Sequence, residues 1–218
     1  MSQETVKQLR LYLEFLHEGG VEYVPKDSSG SGPIGPLEEV RRLLGECKRC
    51  PLWKTRNHLV FGEGNPHAKL MFVGEAPGRE EDLQGRPFVG QAGKLLTQFL
   101  QSIGLSRDEV YIANVLKCRP PGNRTPQPQE IEACLPFLLK QIQAIQPRII
   151  CTLGAVATQA LLGQKASITR IRGQVLPWRW GIKLFPTFHP AYLLRNPGQK
   201  KNAYQDFLRL KELLEAQA

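Results

Sequence analysis

The sequence lacks any uninterrupted apolar run that approaches the length of about 18 residues that a membrane-spanning helix needs, so we expect no segment to span a membrane. Residues 1–10 also lack the charged segment and following apolar core that are typical of a secretory signal peptide. Because both features are missing, we expect a cytoplasmic protein without a membrane partner. The sequence also shows no internal repeat.

Two nucleotide-binding motifs are absent as well. The segment Gly74-Glu-Ala-Pro-Gly78 is not a G-x-G-x-x-G fingerprint, because Ala76 replaces a glycine and Pro77 lacks an amide donor. The segment 89–95 is not a P-loop, because Phe88 stands where the first glycine is required and Leu95 where a hydroxyl is required. These differences argue against nucleoside triphosphate binding.

The composition is that of a folded soluble domain with a basic surface. Apolar residues make up 41% and charged residues 22% of 218 residues, which excludes a wholly disordered chain and a coiled coil. The chain has 29 Lys and Arg against 20 Asp and Glu, a net charge of +9. Such an excess favours a polyanionic partner, most simply nucleic acid.

The chain divides into three parts. Apolar residues with helical spacing over 4–16 predict an N-terminal helical extension within residues 1–25. The Gly-, Ser- and Pro-rich residues 26–36 predict a flexible linker, and residues 37–218 the main domain. The extension either packs on that domain or binds a protein partner.

The main domain has an α/β pattern. Four short apolar runs predict buried strands, and helical stretches lie between them. The strands are expected at 69–74, 110–114, 148–154 and 183–188, and the helices near 91–103, 127–145, 155–162 and 200–216. Pro136 should kink or interrupt the second of these helices. Alternating strands and helices predict a parallel sheet covered on both faces, with functional groups at the carboxyl ends of its strands.

Polar side chains do follow three of these strands. Glu75 comes after the first strand, Asn114 ends the second, and His189 follows the fourth. A carboxylate, an amide and an imidazole on one rim could hydrogen-bond a polar heterocycle, and Phe88 offers a stacking surface beside them.

Four of the five cysteines are candidate metal ligands. Cys47 and Cys50 form a C-x-x-C pair, and Cys118 and Cys134 could join them. This set suits four-thiolate zinc or an iron–sulfur cluster; a thioredoxin-like redox pair and four unrelated thiols are the alternatives. Cys151 lies in an apolar run and is expected in the core.

Several segments resemble the motifs of family 4 uracil-DNA glycosylases: Glu75-Ala-Pro-Gly, the run 85–90, Asn114 before Lys117-Cys-Arg-Pro-Pro, and the run 189–195. The resemblance covers about residues 37–214. It implies a three-layer α/β/α fold with a central four-stranded parallel sheet. It also implies that Cys47, Cys50, Cys118 and Cys134 hold a 4Fe-4S cluster.

The resemblance implies a monofunctional enzyme that flips uracil out of DNA and hydrolyses its N-glycosidic bond, which initiates base excision repair. Phe88 would stack on the uracil and Asn114 would read its Watson–Crick edge. Glu75 and Ala76 would use backbone groups near O2, with the Glu75 side chain bracing that loop. His189 would hydrogen-bond O2 as negative charge develops on the departing base.

The motifs do not identify the residue that orients the attacking water. Family 1 relatives have an aspartate at the position of Ala76, and a methyl group cannot replace it. Glu81, in the same loop, is our candidate to position water or to hydrogen-bond His189.

The run 192–195 resembles the family's loop that enters the duplex. Leu193 and Leu194 are candidates for an apolar wedge, although one of them should pack into the core, and Arg195 for a phosphate contact. The expected partner is single- or double-stranded DNA containing uracil, bound by a monomer associated with the nucleoid.

Two other classes of protein remain open. One is a non-catalytic iron–sulfur or zinc DNA-binding protein that recognises uracil. The other is an iron–sulfur electron carrier, which would not need a polar pocket for a base.

Overall fold

The computed structural model describes residues 35–216. The predicted extension 1–25 and most of the linker 26–36 lie outside the described residues, and the domain division stays a prediction. The described chain forms one sheet with the strand order β1-β3-β2-β4-β6-β5. The strands are β1 (Glu63–Gly64), β2 (Leu70–Gly74), β3 (Tyr111–Asn114), β4 (Ile149–Leu153), β5 (Leu176–Pro177) and β6 (Lys183–Thr187).

The four predicted strands form the centre of this sheet. β3, β2, β4 and β6 are neighbours in that order and all run parallel. β1 and β5 pair antiparallel at the two edges, so the sheet is wider than predicted. Each edge strand has only two residues, too few to show a periodic pattern. The expected α/β fold is confirmed.

Eight α-helices lie in the described residues: α1 (Pro36–Leu44), α2 (Arg79–Gln84), α3 (Gln91–Ser102), α4 (Pro128–Ile145), α5 (Ala155–Leu162), α6 (Ile168–Ile171), α7 (Pro190–Arg195) and α8 (Lys200–Glu215). The four predicted helices correspond to α3, α4, α5 and α8. Helix α4 continues through Pro136, which therefore does not interrupt it. Within residues 35–216 no helix combines the length and apolarity that crossing a membrane requires.

Helices cover both faces of the sheet. Leu70 and Phe72 of β2 pack on one side with residues of α3 and α8, where the Phe72 and Phe207 rings stack at 5.9 Å between centroids. Met71 and Val73 face the other side and pack with residues of α4 and α5. The sheet is thus the middle of three layers, and its central strands are buried on both faces, as parallel strands usually are.

This topology brings the ends of the parallel strands to one edge. Gly74 pairs with Asn114 where β2 and β3 end. Leu153 pairs with Thr187 where β4 and β6 end, two residues before His189. The loops that carry the predicted site residues therefore leave the sheet side by side.

Candidate active site

A pocket opens at this edge of the sheet. Its lining includes every residue that was predicted to bind the base or to act in catalysis: Glu75, Ala76, Glu81, Phe88, Asn114 and His189. Tyr192 and Arg195 of α7 complete one side of it. The structure therefore brings these residues together at one pocket, and their contacts define what each can do.

Asn114 lines this pocket and carries an unsatisfied hydrogen-bond acceptor. Its residue is 2% exposed, and its Oδ1 is the only buried side-chain nitrogen or oxygen of the described residues without a hydrogen-bond partner. An added Cβ on Gly74 would lie 2.4 Å from that oxygen and 2.5 Å from Cζ of Phe88, so only glycine fits beneath them. Because a buried unpaired oxygen is costly, this one indicates a donor that arrives with a ligand.

Phe88 lies beside Asn114 in an unusual backbone conformation. Its φ is +52°, in the left-handed region, which costs an L-residue roughly 1–2 kcal/mol. Its ring centroid lies 5.8 Å from that of His189, with 33° between the planes. An added Cβ on Gly93 would lie 1.8 Å from the Phe88 carbonyl oxygen, so glycine is needed there as well.

Glu81 joins the two loops that border the pocket. Its Oε2 accepts a hydrogen bond from the amide of Gly78 at 3.1 Å, and its Oε1 accepts from the amides of Val89 and Gly90, both at 2.9 Å. Glu81 therefore braces the loop, the role predicted for the Glu75 side chain. Within residues 35–216 the Glu75 carboxylate has no hydrogen-bond partner, and burial raises its pKa.

His189 is held in its neutral form. Its Nδ1 accepts a hydrogen bond from the amide of Ala191 at 3.1 Å and so caps helix α7. Burial, assisted by the positive charge of Arg195 and opposed by Glu81, lowers the pKa of His189 to about 4. With Nδ1 accepting, the neutral ring carries its proton on Nε2, which is a hydrogen-bond donor.

The two leucines of helix α7 lie in different environments. Leu193 is 1% exposed and belongs to the core cluster of α3 and α8, so it is not available for the predicted DNA contact. Leu194 is 41% exposed and Arg195 is exposed beside it. One leucine was expected to pack into the core, and that residue is Leu193.

The four candidate ligand cysteines line a second cavity. Cys47, Cys50, Cys118 and Cys134 all border it, whereas Cys151 is fully buried in the core as expected. Arg56 donates from Nη1 to the Cys47 carbonyl oxygen at 2.7 Å and to the Cys118 Sγ at 3.2 Å. The Lys117 amide donates to the Cys134 Sγ at 3.2 Å.

Hydrogen-bond donors at the Cys118 and Cys134 sulfurs favour the thiolate form that a metal ligand needs. In the described chain no three His, Cys, Asp or Glu residues are arranged to hold one metal ion. A 4Fe-4S cluster makes a different demand, because each of its four thiolates binds a separate iron. Burial raises the pKa of Cys118, and that of Cys134 to about 11, so a metal would have to displace protons from these thiols.

Sequence reasoning missed two cations that contact the site. The Lys117 Nζ is wholly buried and donates to the Asn114 carbonyl oxygen at 2.8 Å and to Oε1 of Gln141 at 2.6 Å. A lysine inside the apolar run 115–118 was a usable signal. Arg107 contacts the backbone at Phe88, and nothing in its local sequence distinguishes it from a surface arginine.

Comparison with known proteins identifies the family to which the chain belongs. The model of the Uracil DNA glycosylase superfamily matches residues 61–210, which include the pocket, Cys118 and Cys134. The fold and site are therefore those of a uracil-DNA glycosylase superfamily protein.

Relatives identify the branch of the superfamily. The chain is 53% identical to a type-4 uracil-DNA glycosylase of Thermotoga maritima, over 73% of this chain and 84% of the relative. It is 49% identical to the type-4 uracil-DNA glycosylase of Sulfurisphaera tokodaii, over 81% of this chain and 84% of the relative. It is 46% identical to that of Archaeoglobus fulgidus, over 81% of this chain and 92% of the relative. The chain belongs to the type-4 uracil-DNA glycosylase family of enzymes, and the resemblance found in its motifs is confirmed.

Proposed function

We propose that the protein is a monofunctional glycosylase that extrudes uracil from single- or double-stranded DNA and hydrolyses its N-glycosidic bond. The observation that carries this proposal is the buried, unpartnered Oδ1 of Asn114 in a pocket that also holds a neutral imidazole. The protein would act as a monomer on DNA of the nucleoid and initiate base excision repair.

Recognition would follow from the amide and the ring. The Asn114 Oδ1 would accept the N3–H of uracil and its Nδ2 would donate to O4, whereas the amino group of cytosine would face a donor. A site that leaves polar groups unpaired with the wrong base can reject it by a factor of about 10⁴. Phe88 would stack on the extruded base, and Leu194 would fill the space left in the duplex.

Bond cleavage would depend on stabilising the leaving group. Neutral His189 would donate from Nε2 to O2 of uracil as negative charge develops there, and a single donor of this kind contributes a factor of about 10² to 10³. The backbone at Glu75 and Ala76 borders the same pocket and would assist. Because Ala76 has no polar side chain, no carboxylate at that position can orient water.

Glu81 would have its main role in holding the loops. Three amides already bind its carboxylate, and only its remaining lone pair could orient a water molecule. We therefore place most of the rate enhancement in leaving-group stabilisation and in DNA binding.

The four cavity-lining cysteines would hold a 4Fe-4S cluster. Bound there, the group would cross-link the chain at Cys47 and Cys50 to the loop and helix that carry Cys118 and Cys134. A visible absorption band near 400 nm and an iron assay test this directly, and the Cys134→Ser variant should lose iron. Cys151→Ala is the matched control and should keep it; loss of iron in the control alone would contradict the ligand assignment.

The enzymatic test uses uracil-containing oligonucleotides as U:G, U:A and single strands. The protein should generate abasic sites that alkali converts to strand breaks, and no breaks should form without alkali or a lyase. Tight binding without any abasic product would instead support a non-catalytic uracil reader. Breaks that form without alkali would contradict the monofunctional assignment.

A further inference from the structure

An ion pair outside the pocket grips the backbone of the stacking residue. Arg107 donates from Nη1 to the Phe88 carbonyl oxygen at 3.0 Å and from Nη2 to the Pro87 carbonyl oxygen at 2.8 Å. The same Nη2 lies 2.5 Å from Oε1 of Glu63. Both side chains are largely buried, so this pair is a fixed contact and not a solvated surface pair.

The contact falls on a residue with a strained backbone. Phe88 has a left-handed φ, which costs free energy and persists when the surrounding structure holds the residue in place. Arg107 fixes the carbonyl of this residue, and Glu81 fixes the amides of Val89 and Gly90 that follow. The orientation of the Phe88 ring depends on both restraints, because the side chain follows its backbone.

Glu63 connects this restraint to the sheet. It lies on edge strand β1 and pairs with Ile112 of β3, two residues before Asn114. Glu63, which holds Arg107, and Asn114, which would read the base, therefore lie on the adjacent strands β1 and β3. An arginine suits this link because its planar fork holds two carbonyls and a carboxylate at once.

We propose that Arg107, held by Glu63, is a positioning residue for catalysis that keeps the Phe88 ring in the geometry for stacking on the extruded base. The inference rests on the proposed function, since it assigns the stacking role to Phe88. Arg107 itself would touch neither the base nor the scissile bond.

The test compares Arg107→Met with Arg86→Met in single-turnover excision. Arg86 binds the same carboxylate, with its Nε 2.8 Å from Oε2 of Glu63, but it is exposed and its hydrogen bonds within the described chain go to Glu63 alone. Arg107→Met should slow excision about 10- to 100-fold, as expected when a group in the site is misplaced. Arg86→Met should stay within about twofold of the parent, as expected when an exposed ion pair is removed.

A double variant separates positioning from general damage. If Arg107 acts through the ring, then Arg107→Met combined with Phe88→Ala should be no slower than Phe88→Ala alone. Losses that multiply in the double variant would overturn the proposal. Arg107→Lys keeps the positive charge but loses the planar guanidinium group, so it should excise uracil at an intermediate rate. It also replaces Arg107→Met in the test if the methionine variant folds poorly.

Hydrogen exchange gives a readout that does not depend on excision. The amides of Val89 and Gly90 should exchange faster in Arg107→Met, while those of strand β4 keep the protection of the parent. Unchanged exchange at both amides would overturn the positioning role. If the parent protein fails to excise uracil, the proposed function fails, and the exchange experiment still decides whether Arg107 holds this loop.

Discussion

At the scale of single residues, the proposed role of Asn114 and the stability of the fold oppose each other. Its Oδ1 lacks a partner in a buried position, which costs about 1–3 kcal/mol in a folded protein. A ligand with an N–H group would remove that cost, so the energy lost in folding is recovered in recognition. Residues selected for stability alone would not leave an acceptor in this state.

The variant Asn114→Ala tests this opposition. Uracil excision should fall by about 100-fold or more, because both hydrogen bonds proposed to the base edge would be lost. The melting temperature should not fall, because the substitution removes the unsatisfied oxygen. Calorimetry and single-turnover kinetics measure the two effects, and a variant that is both inactive and clearly less stable would contradict the argument.

The protonation state of His189 gives a pH prediction. Its pKa is lowered to about 4, chiefly by burial, so the folded protein keeps the ring neutral where an ordinary histidine is charged. Between pH 6.5 and pH 4 the unfolded chain binds the additional proton, and the contribution of His189 to the free energy of unfolding decreases as the pH falls. Imidazole nitrogen shifts in NMR should therefore show the Nε2–H form from pH 7 down to pH 5. A transition of this ring near pH 6.5 would contradict the assignment.

At the scale of secondary-structure elements, the short helix α2 holds the pocket together. Glu81 lies in its first turn, and the variant Glu81→Ala removes three charge-assisted hydrogen bonds to amides of two loops. We expect the free energy of unfolding to fall by about 2 to 4 kcal/mol, together with a loss of excision. Denaturant unfolding measures the first effect. Glu80→Ala removes an exposed carboxylate from the same helix and should leave both unchanged; an equal loss in this control would exclude a specific brace.

The same elements show what the sequence could predict. The four parallel strands were found because burial on both faces produces continuous apolar runs such as 149–153. Helix α2 was not found, because six mostly charged residues show no apolar period. The role of Glu81 could not be read either, because its amide partners at Val89 and Gly90 come within reach only after the chain has folded back.

Motif resemblance supplied what periodicity could not. Asn114 and His189 lie 75 positions apart and meet only because β3 and β6 belong to one sheet. Their chemistry was predicted from strand ends and motifs together. The contact of Arg107 with Phe88 could not be predicted in this way. It depends on the left-handed backbone of Phe88, and a phenylalanine in the sequence does not indicate that conformation.

At the scale of the whole molecule, the net charge of +9 should act through particular side chains. Arg124 lines the pocket, but its guanidinium is engaged with the Glu130 carboxylate at 2.6 and 2.9 Å. Arg195 lines the pocket as well, is exposed, and lies next to the exposed Leu194. It is therefore the cation at the pocket that is best placed to contact phosphate.

Salt dependence of DNA binding measures this contribution. Each phosphate contact releases counterions, so the affinity of the protein for DNA should fall steeply as salt rises. Arg195→Ala should weaken binding and reduce the slope of log K against log salt by about one unit. Lys183→Ala is the matched control, because Lys183 begins strand β6 at the end of the sheet opposite to the pocket. Equal slopes for Arg195→Ala and the parent protein would show that Arg195 makes no phosphate contact. A reduced slope for Lys183→Ala would place the DNA at the end of the sheet opposite to the pocket, where a base could not be extruded into it.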